Sequence, residues 1–273
     1  MEFFKMHGTG NDFIFVEDFD NKYKGKESDI AKKLCHRRFG VGADGLVVVR
    51  NSDVAQAKME IINSDGSWAN MCGNAIRCFA KYCFEKNVVK TTVFDVETGD
   101  GIKTIEVFVD ENNIVSEVKV FMGEISFDGS LIPLNNKENL IDENITVGEK
   151  EYRATSLLVG VPHTIIIGEK DQYNVEEGSK IEKFNLFLEG TNVNFVEIID
   201  RDNIKVKTWE RGAGATYSCG TGCSASVVVT NKLGHTNKIV NVYVPGGKLK
   251  IQLDGDKIYM IGPAEFICKG HSY

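Results

Sequence analysis

Two stretches of this chain carry the same unusual arrangement: one cysteine, then a glycine, then a helix-length run of small and apolar residues. They are NMCGNAIRCFAKYCFEK at 70–86 and SCGTGCSASVVVTNK at 218–232. Sliding the chain by 147 residues lays Cys72 on Cys219 and Asn63 on Glu210. The flanking text then also agrees, with MEIINSDGSWANMCG opposite IKVKTWERGAGATYSCG. Known solenoid repeats have periods of about 20–50 residues. A period of 147 therefore predicts two homologous domains, related by a pseudo-twofold and turning their Cys-Gly pairs toward one cleft.

The 273 residues suit two domains of ordinary size, and 42% hydrophobic against 26% charged residues supplies a core for each. A net charge of -7 disfavours nucleic acid and anionic membrane surfaces, which call for a basic face. No apolar run approaches 18 residues, and the opening MEFFKMHGTGNDF has neither the charged nor the apolar region of a leader. The expectation is a cytoplasmic protein whose partner is a small molecule. Seven cysteines is an odd count, so reduced thiols are expected rather than a disulfide framework.

In chain order, HGTGND reads as a polar turn between two strands, and Ser28 reads as the cap of a helix reaching Arg38, followed by a buried strand GLVVVR. The run after Cys72 is apolar on every side, the pattern of an enclosed helix. TTVFDVET, IKTIEVFVD and IVSEVKVFMGEISF then read as a meander, repeated in the second half by KIVNVYV, KLKIQLD and KIYMIGPAEF.

A thiol at a helix amino terminus feels the positive end of the macrodipole and nearby free amides, which lowers its pKa. The same amides attract a carboxylate. Two such termini converging on one ligand would hold an anionic substrate with a sulfur on each side of one carbon. That arrangement suits inversion of a stereocentre, with a proton leaving one face and another arriving on the opposite face. Cys35, Cys78, Cys83, Cys223 and Cys268 read instead as small buried hydrophobes. Cysteine and histidine spacings do not suit zinc, C-x-x-C is absent, and no glycine-rich phosphate cradle suggests a bound cofactor, so neither metal nor cofactor is expected.

KMHGTGNDF, NSDGSWANMCGN and WERGAGATYSCGTG resemble the signature segments of diaminopimelate epimerases, PLP-independent enzymes related to proline racemase. The likeness runs in order from Lys5 to about Ile267. It implies an α/β (α+β) fold of two pseudo-symmetric domains, each a mostly antiparallel, curled strand layer around a central helix. The expected domains are 1–117 with 263–273, carrying Cys72, and 118–262, carrying Cys219. It further implies a cofactor-free conversion of LL- to meso-diaminopimelate in lysine and peptidoglycan precursor biosynthesis, with Cys72 and Cys219 as the acid/base thiols. Gly73, Asn74, Gly220 and Thr221 would hold the substrate α-carboxylate. Asn11, Asn63, Asn192, Glu210 and Arg211 would fix the distal end, Arg211 through its two-pronged guanidinium.

Two positions depart from the pattern: Val161 stands where many members carry Asn before Pro-His, and Gly45 where some carry Gln. Both bear on substrate choice rather than on the thiols. The residues alone leave other readings open. Asn63 with Asp65-Gly66 also suits a simple turn, Glu210-Arg211 a surface pair, and Asn11 an Asx-turn. The whole chain also suits a racemase of another amino acid, or an amino-acid-binding or thiol-sensing protein without catalysis. A homodimer is left open.

Overall fold

The computed structural model describes residues 1–273. Its first hairpin is the one expected around HGTGND, joining Glu2–Gly8 (β1) to Asn11–Glu17 (β2). Thr9 and Gly10 hold φ of 50° and 85°, the two positive values that a two-residue turn matched to the strand twist requires. Glycine adopts this freely, but for a β-branched threonine it is strained. Something must hold Thr9 there, and its buried hydroxyl, described below, does so.

The chain divides into two units, Met1–Phe121 with Ile261–Tyr273, and Met122–Met260. In the first, Glu27–Leu34 (α1), Gly45–Arg50 (β3), Ala57–Asn63 (β4), Trp68–Ala69 (β5), Gly73–Glu85 (α2), Val93–Thr98 (β6), Gly101–Val109 (β7) and Val115–Phe121 (β8) follow the hairpin. The terminal strand Glu265–His271 pairs with β1, and the ladder continues through β2, β3, β4, β6, β7 and β8, with β5 beside β6 on one edge of β4. Two pairs are parallel, β2 with β3 and β4 with β6. Parallel neighbours need a crossover, and α1 and α2 supply these two.

Every residue of α2 from Asn74 to Cys83 is buried, as its all-round apolar pattern requires. Each large side chain such as Ile76 or Phe79 contributes on the order of 1.5–3 kcal/mol by leaving water. The two cations in this stretch are satisfied internally: Arg77 donates to the Gly73 carbonyl at 3.0 Å, and Lys81 donates to the Val115 carbonyl at 2.7 Å and pairs with Glu85 at 2.8 Å.

The expected helix 28–38 differs from the one that forms. α1 begins at Glu27 with Lys26 as its cap residue, so Ser28 lies inside it rather than capping it. Glu27 turns inward to Arg50, which is buried and also binds Asp18 at 2.7 Å. The helix stops at Leu34 because the chain folds back there, with the amides of Val41 and Gly42 both donating to the Leu34 carbonyl.

The second unit repeats this plan. Its elements are Glu143–Val147 (β9), Lys150–Val159 (β10), Val161–Gly168 (β11), Gly178–Glu182 (α3), Asn192–Asp200 (β12), Asn203–Glu210 (β13), Gly214–Thr216 (β14), Gly220–Lys232 (α4), Ile239–Val244 (β15), Gly247–Asp254 (β16) and Lys257–Gly262 (β17). The ladder β9 to β13 continues into β15 and β16, with β14 beside β15 on one edge of β13. Again two pairs are parallel, β11 with β12 and β13 with β15, and again a helix crosses each. Both sheets are thus mixed, each with two parallel pairs imposed by its helices. α2 and α4 each span 13 residues and start directly after their cysteines.

Of the thiols expected to be buried, Cys35, Cys78, Cys83 and Cys223 are. Cys268 is not: it lies exposed on the terminal strand, whose residues are mostly open to solvent. No helix is long and apolar enough to cross a membrane.

Candidate active site

Cys72 is the residue immediately before α2, extended at φ -144° and ψ 122°, and half-buried. Its Sγ lies 3.8 Å from Asn11 Oδ1, and that same oxygen accepts from Asn74 Nδ2 at 3.2 Å. Asn11 Nδ2 donates in turn to Asp44 Oδ2 at 2.6 Å. Arg37 grips Asp44 at 2.6 Å and Asp12 at 2.8 Å, and Lys5 reaches Asp12 at 3.0 Å. Burial by itself would raise the Asp12 carboxyl, but Arg37 and Lys5 hold it below the usual carboxylate range.

From the inner side, the wholly buried Arg77 donates to the Gly73 carbonyl and to Thr9 Oγ1, both at 3.0 Å, and the Thr9 hydroxyl donates to Asn74 Oδ1 at 3.5 Å. Gly8 is confined by the start of α2, because a Cβ there would lie 2.8 Å from the Asn74 backbone carbonyl and 3.1 Å from the Arg77 guanidinium. Asn63, at the end of β4, is turned to its own turn: Nδ2 donates to Ser67 Oγ at 2.9 Å and its amide to the Ser67 carbonyl at 2.8 Å. The structure therefore gathers Asn11, Cys72, Gly73 and Asn74, and engages Asn63 locally.

Cys219 stands in the same position before α4, at φ -120° and ψ 109°, and is buried. Its Sγ is 3.4 Å from Thr221 Oγ1. The expectation of a thiol with a lowered pKa is corrected for this residue. Burial and then the neighbouring Glu210 charge push the Cys219 thiol well up, outweighing the Thr221 hydroxyl and the Gly222 amide, which act the other way. Burial also raises Glu210, against hydrogen bonds from Thr216, at 2.7 Å, and from Cys219. Cys219 is a thiol near neutral pH, in contact with a carboxyl group that resists ionising.

Asn192 is buried with both polar ends engaged: Nδ2 donates to the Pro162 carbonyl and Oδ1 accepts from the Arg211 amide, each at 2.9 Å. It thereby ties the turn beside Val161 to the loop presenting Arg211. The Arg211 side chain is exposed and donates to the Glu189 carbonyl at 2.8 Å. Gly220 is buried, and a Cβ there would lie 2.8 Å from Met260 Sδ. Gly45 opens β3 and Val161, 38% exposed, opens β11. No cluster of three or more His, Cys, Asp or Glu side chains is placed to hold a metal ion.

Behind Cys219 lies a network that the sequence reading did not identify. Thr208 Oγ1 donates to Asn194 Oδ1 at 2.9 Å, and Asn194 Nδ2 meets His163 Nδ1 at 3.1 Å, all three residues being buried. Burial and then Arg211 drive the His163 pKa down to about 3, so its ring is neutral. The available signal was polar residues at the centres of apolar strands, in VPHTIII and NVNFVEI.

Comparison with known proteins supplies the family. A family model described as Diaminopimelate epimerase matches residues 3–127 and 155–267. The chain belongs to the diaminopimelate epimerase family. A diaminopimelate epimerase of Clostridium perfringens is 54% identical over 270 residues, covering 99% of this chain and 98% of that one. Another, of Caldanaerobacter subterraneus, is 48% identical with the same coverage of 99% and 98%. Among solved structures, a PhzF-family phenazine biosynthesis protein of Bacillus anthracis superposes with a TM-score of 0.72 at 15% identity, covering 99% of this chain and 98% of that one. A probable proline racemase of Agrobacterium radiobacter gives 0.71 at 14%, covering 100% and 92%. These two likenesses show that this chain shares its fold with those proteins.

Proposed function

We propose that this chain is an isomerase that converts LL-diaminopimelate to meso-diaminopimelate without a cofactor, using Cys72 and Cys219 as paired acid/base thiols. The observation that carries this reading is the repeated one: in two units of the same strand order, a cysteine is the last residue before a buried 13-residue crossover helix. One thiol removes the α-proton and the other protonates the opposite face, and the roles exchange with the direction of reaction. Cys219, whose proton is held by burial and by Glu210, is equipped to serve as the acid.

The first amides of a helix lack partners within it. Those of Gly73 and Asn74, and of Gly220 and Thr221, accordingly receive the α-carboxylate, where charge develops as the proton leaves. An α-proton roughly ten pKa units above a thiol demands on the order of 14 kcal/mol, at about 1.36 per unit. No single contact supplies that, so the grip on the distal end by Asn63, Asn192 and Arg211 must act in the transition state as well, while Asn11 and Glu210 bind beside the two thiols. Arg211 is suited to a distal carboxylate because its exposed fork can release a backbone carbonyl and bind two oxygens.

Such an enzyme would work in the cytoplasm, on the route to lysine and peptidoglycan precursors. Its partner is a small amino acid. The test is epimerisation of LL-diaminopimelate against a panel containing proline, alanine, glutamate and lysine. Turnover confined to diaminopimelate is expected. Faster racemisation of a short amino acid would overturn the substrate, and binding without turnover would overturn the enzyme.

A further inference from the structure

Two chains of hydrogen bonds, each starting at an arginine, end on the Asn11 carboxamide, and they run with the same polarity. In the outer chain Arg37 donates to Asp44 Oδ1, and Asp44 Oδ2, 2.6 Å from the Asn11 amide, faces an atom that must be the donor. A carboxylate bonded to a guanidinium accepts only, so that atom is Nδ2. In the inner chain Thr9 Oγ1 accepts from Arg77 at 3.0 Å and donates to Asn74 Oδ1 at 3.5 Å. Asn74 Nδ2 donates to Asn11 Oδ1 at 3.2 Å, in agreement with the outer chain. The orientation of an amide is ordinarily inferred from its surroundings. Here two independent surroundings select the same one, and the oxygen they select lies 3.8 Å from Cys72 Sγ.

We propose that Asp44 is the positioning residue for Cys72: by taking the Asn11 amide nitrogen, it turns the Asn11 carbonyl oxygen onto the sulfur. This deepens the reading of Cys72 as one of the two acid/base thiols. An acceptor held against Sγ favours S–H over the thiolate, so displacing this contact with substrate makes Cys72 a readier base. Asp44 reaches this outcome without touching the reacting atoms. The other charged groups around the pair are Asp12, Lys5 and Arg37, and the amide of Asp12 donates to Asp44 Oδ2 at 3.1 Å.

Asp44→Ala is the informative substitution, because Oδ2 also accepts from the Asp12 amide and an asparagine would keep its carbonyl oxygen in that place. With alanine nothing on residue 44 holds the Asn11 nitrogen, and the carboxamide is free to turn Nδ2 to Cys72. The readout is the pH dependence of Cys72 alkylation by iodoacetamide, followed on the Cys72 peptide by mass spectrometry. Asp44→Ala should move the midpoint down by about one unit, since a donor can now face the sulfur. Asp44→Glu and Asp44→Asn, which keep an acceptor, should move it less. In an Asn11→Ala background, Asp44→Ala should produce a smaller shift than in the wild type. A midpoint that does not move, or that moves equally without the Asn11 amide, would overturn the proposal.

A second measurement needs no variant. In NMR of the unmodified protein, the Asn11 side-chain amide protons should show Overhauser contacts to the Asp44 β protons. Contacts to the Cys72 β protons instead would show the nitrogen facing the sulfur and would overturn the proposal too. Neither readout depends on turnover. A chain that failed to epimerise diaminopimelate would refute the proposed function and leave the role of Asp44 standing, and an unmoved alkylation midpoint with normal turnover would do the opposite.

Discussion

Gly222→Ala sets two known effects against each other at the start of α4. In an exposed helix, alanine is better than glycine by about 1 kcal/mol. At this position a methyl group would overlap Asn194 Oδ1 and stand 3.3 Å from Asn194 Cγ and from Cys219 Cβ. Asn194 is wholly buried and bonded to Thr208 and His163, so it has no solvent to swing into. Overpacking costs about 1–3 kcal/mol, and each buried polar group left unsatisfied about 1–3 more. The clash outweighs the helix gain, and the expected net loss is about 2–4 kcal/mol. Urea unfolding measures it directly, as a lowered midpoint at constant slope. Placed in an Asn194→Ala background, the same change should lose most of its penalty, because the clashing oxygen is gone. A Gly222→Ala protein as stable as the wild type would refute the claim that this network packs rigidly behind Cys219.

Three further outcomes follow from the site. His163 has an ordinary value of 6.5 and about 3 in the fold, so it stabilises fully above pH 6.5 and its contribution drains away as pH falls toward 3. The loss should reach roughly 4–5 kcal/mol by acid unfolding, and His163→Leu should flatten that slope. Glu210→Gln removes the charge that helps hold the Cys219 proton, so the pH midpoint for alkylation of Cys219 should fall; an unchanged or higher midpoint would contradict this. Arg211→Lys keeps the charge but loses the fork, and should lower kcat for diaminopimelate well beyond any rise in KM, while amino acids without a distal carboxylate lose less.

The cysteines and their helices were legible because the chain states them twice, and a feature repeated at 147 residues is hard to mistake for accident. Other features depend on contacts distant in sequence. Ser28 looked like a cap, but Glu27 is drawn inward by Arg50, 23 residues away, and the helix starts there instead. Cys219 sits where a dipole should lower a thiol, yet burial and Glu210 reverse the sign, and neither can be read from local spacing. Asn192 has its acceptor and its donor both engaged by backbone groups 19 and 30 residues away. The His163–Asn194–Thr208 network joins three strands, so no window of sequence contains it. Parallel pairing was also hidden, since a strand that returns through a helix has the same alternation as one that returns through a turn.

The central claim is that two thiols serve opposite faces of one carbon, and incubating LL-diaminopimelate in deuterium oxide with Cys72→Ala and with Cys219→Ala tests it most directly. The wild type should invert the centre and place solvent deuterium on it, and each single variant should lose inversion, retaining at most exchange on the face of the surviving thiol. Full inversion by either variant would contradict the claim.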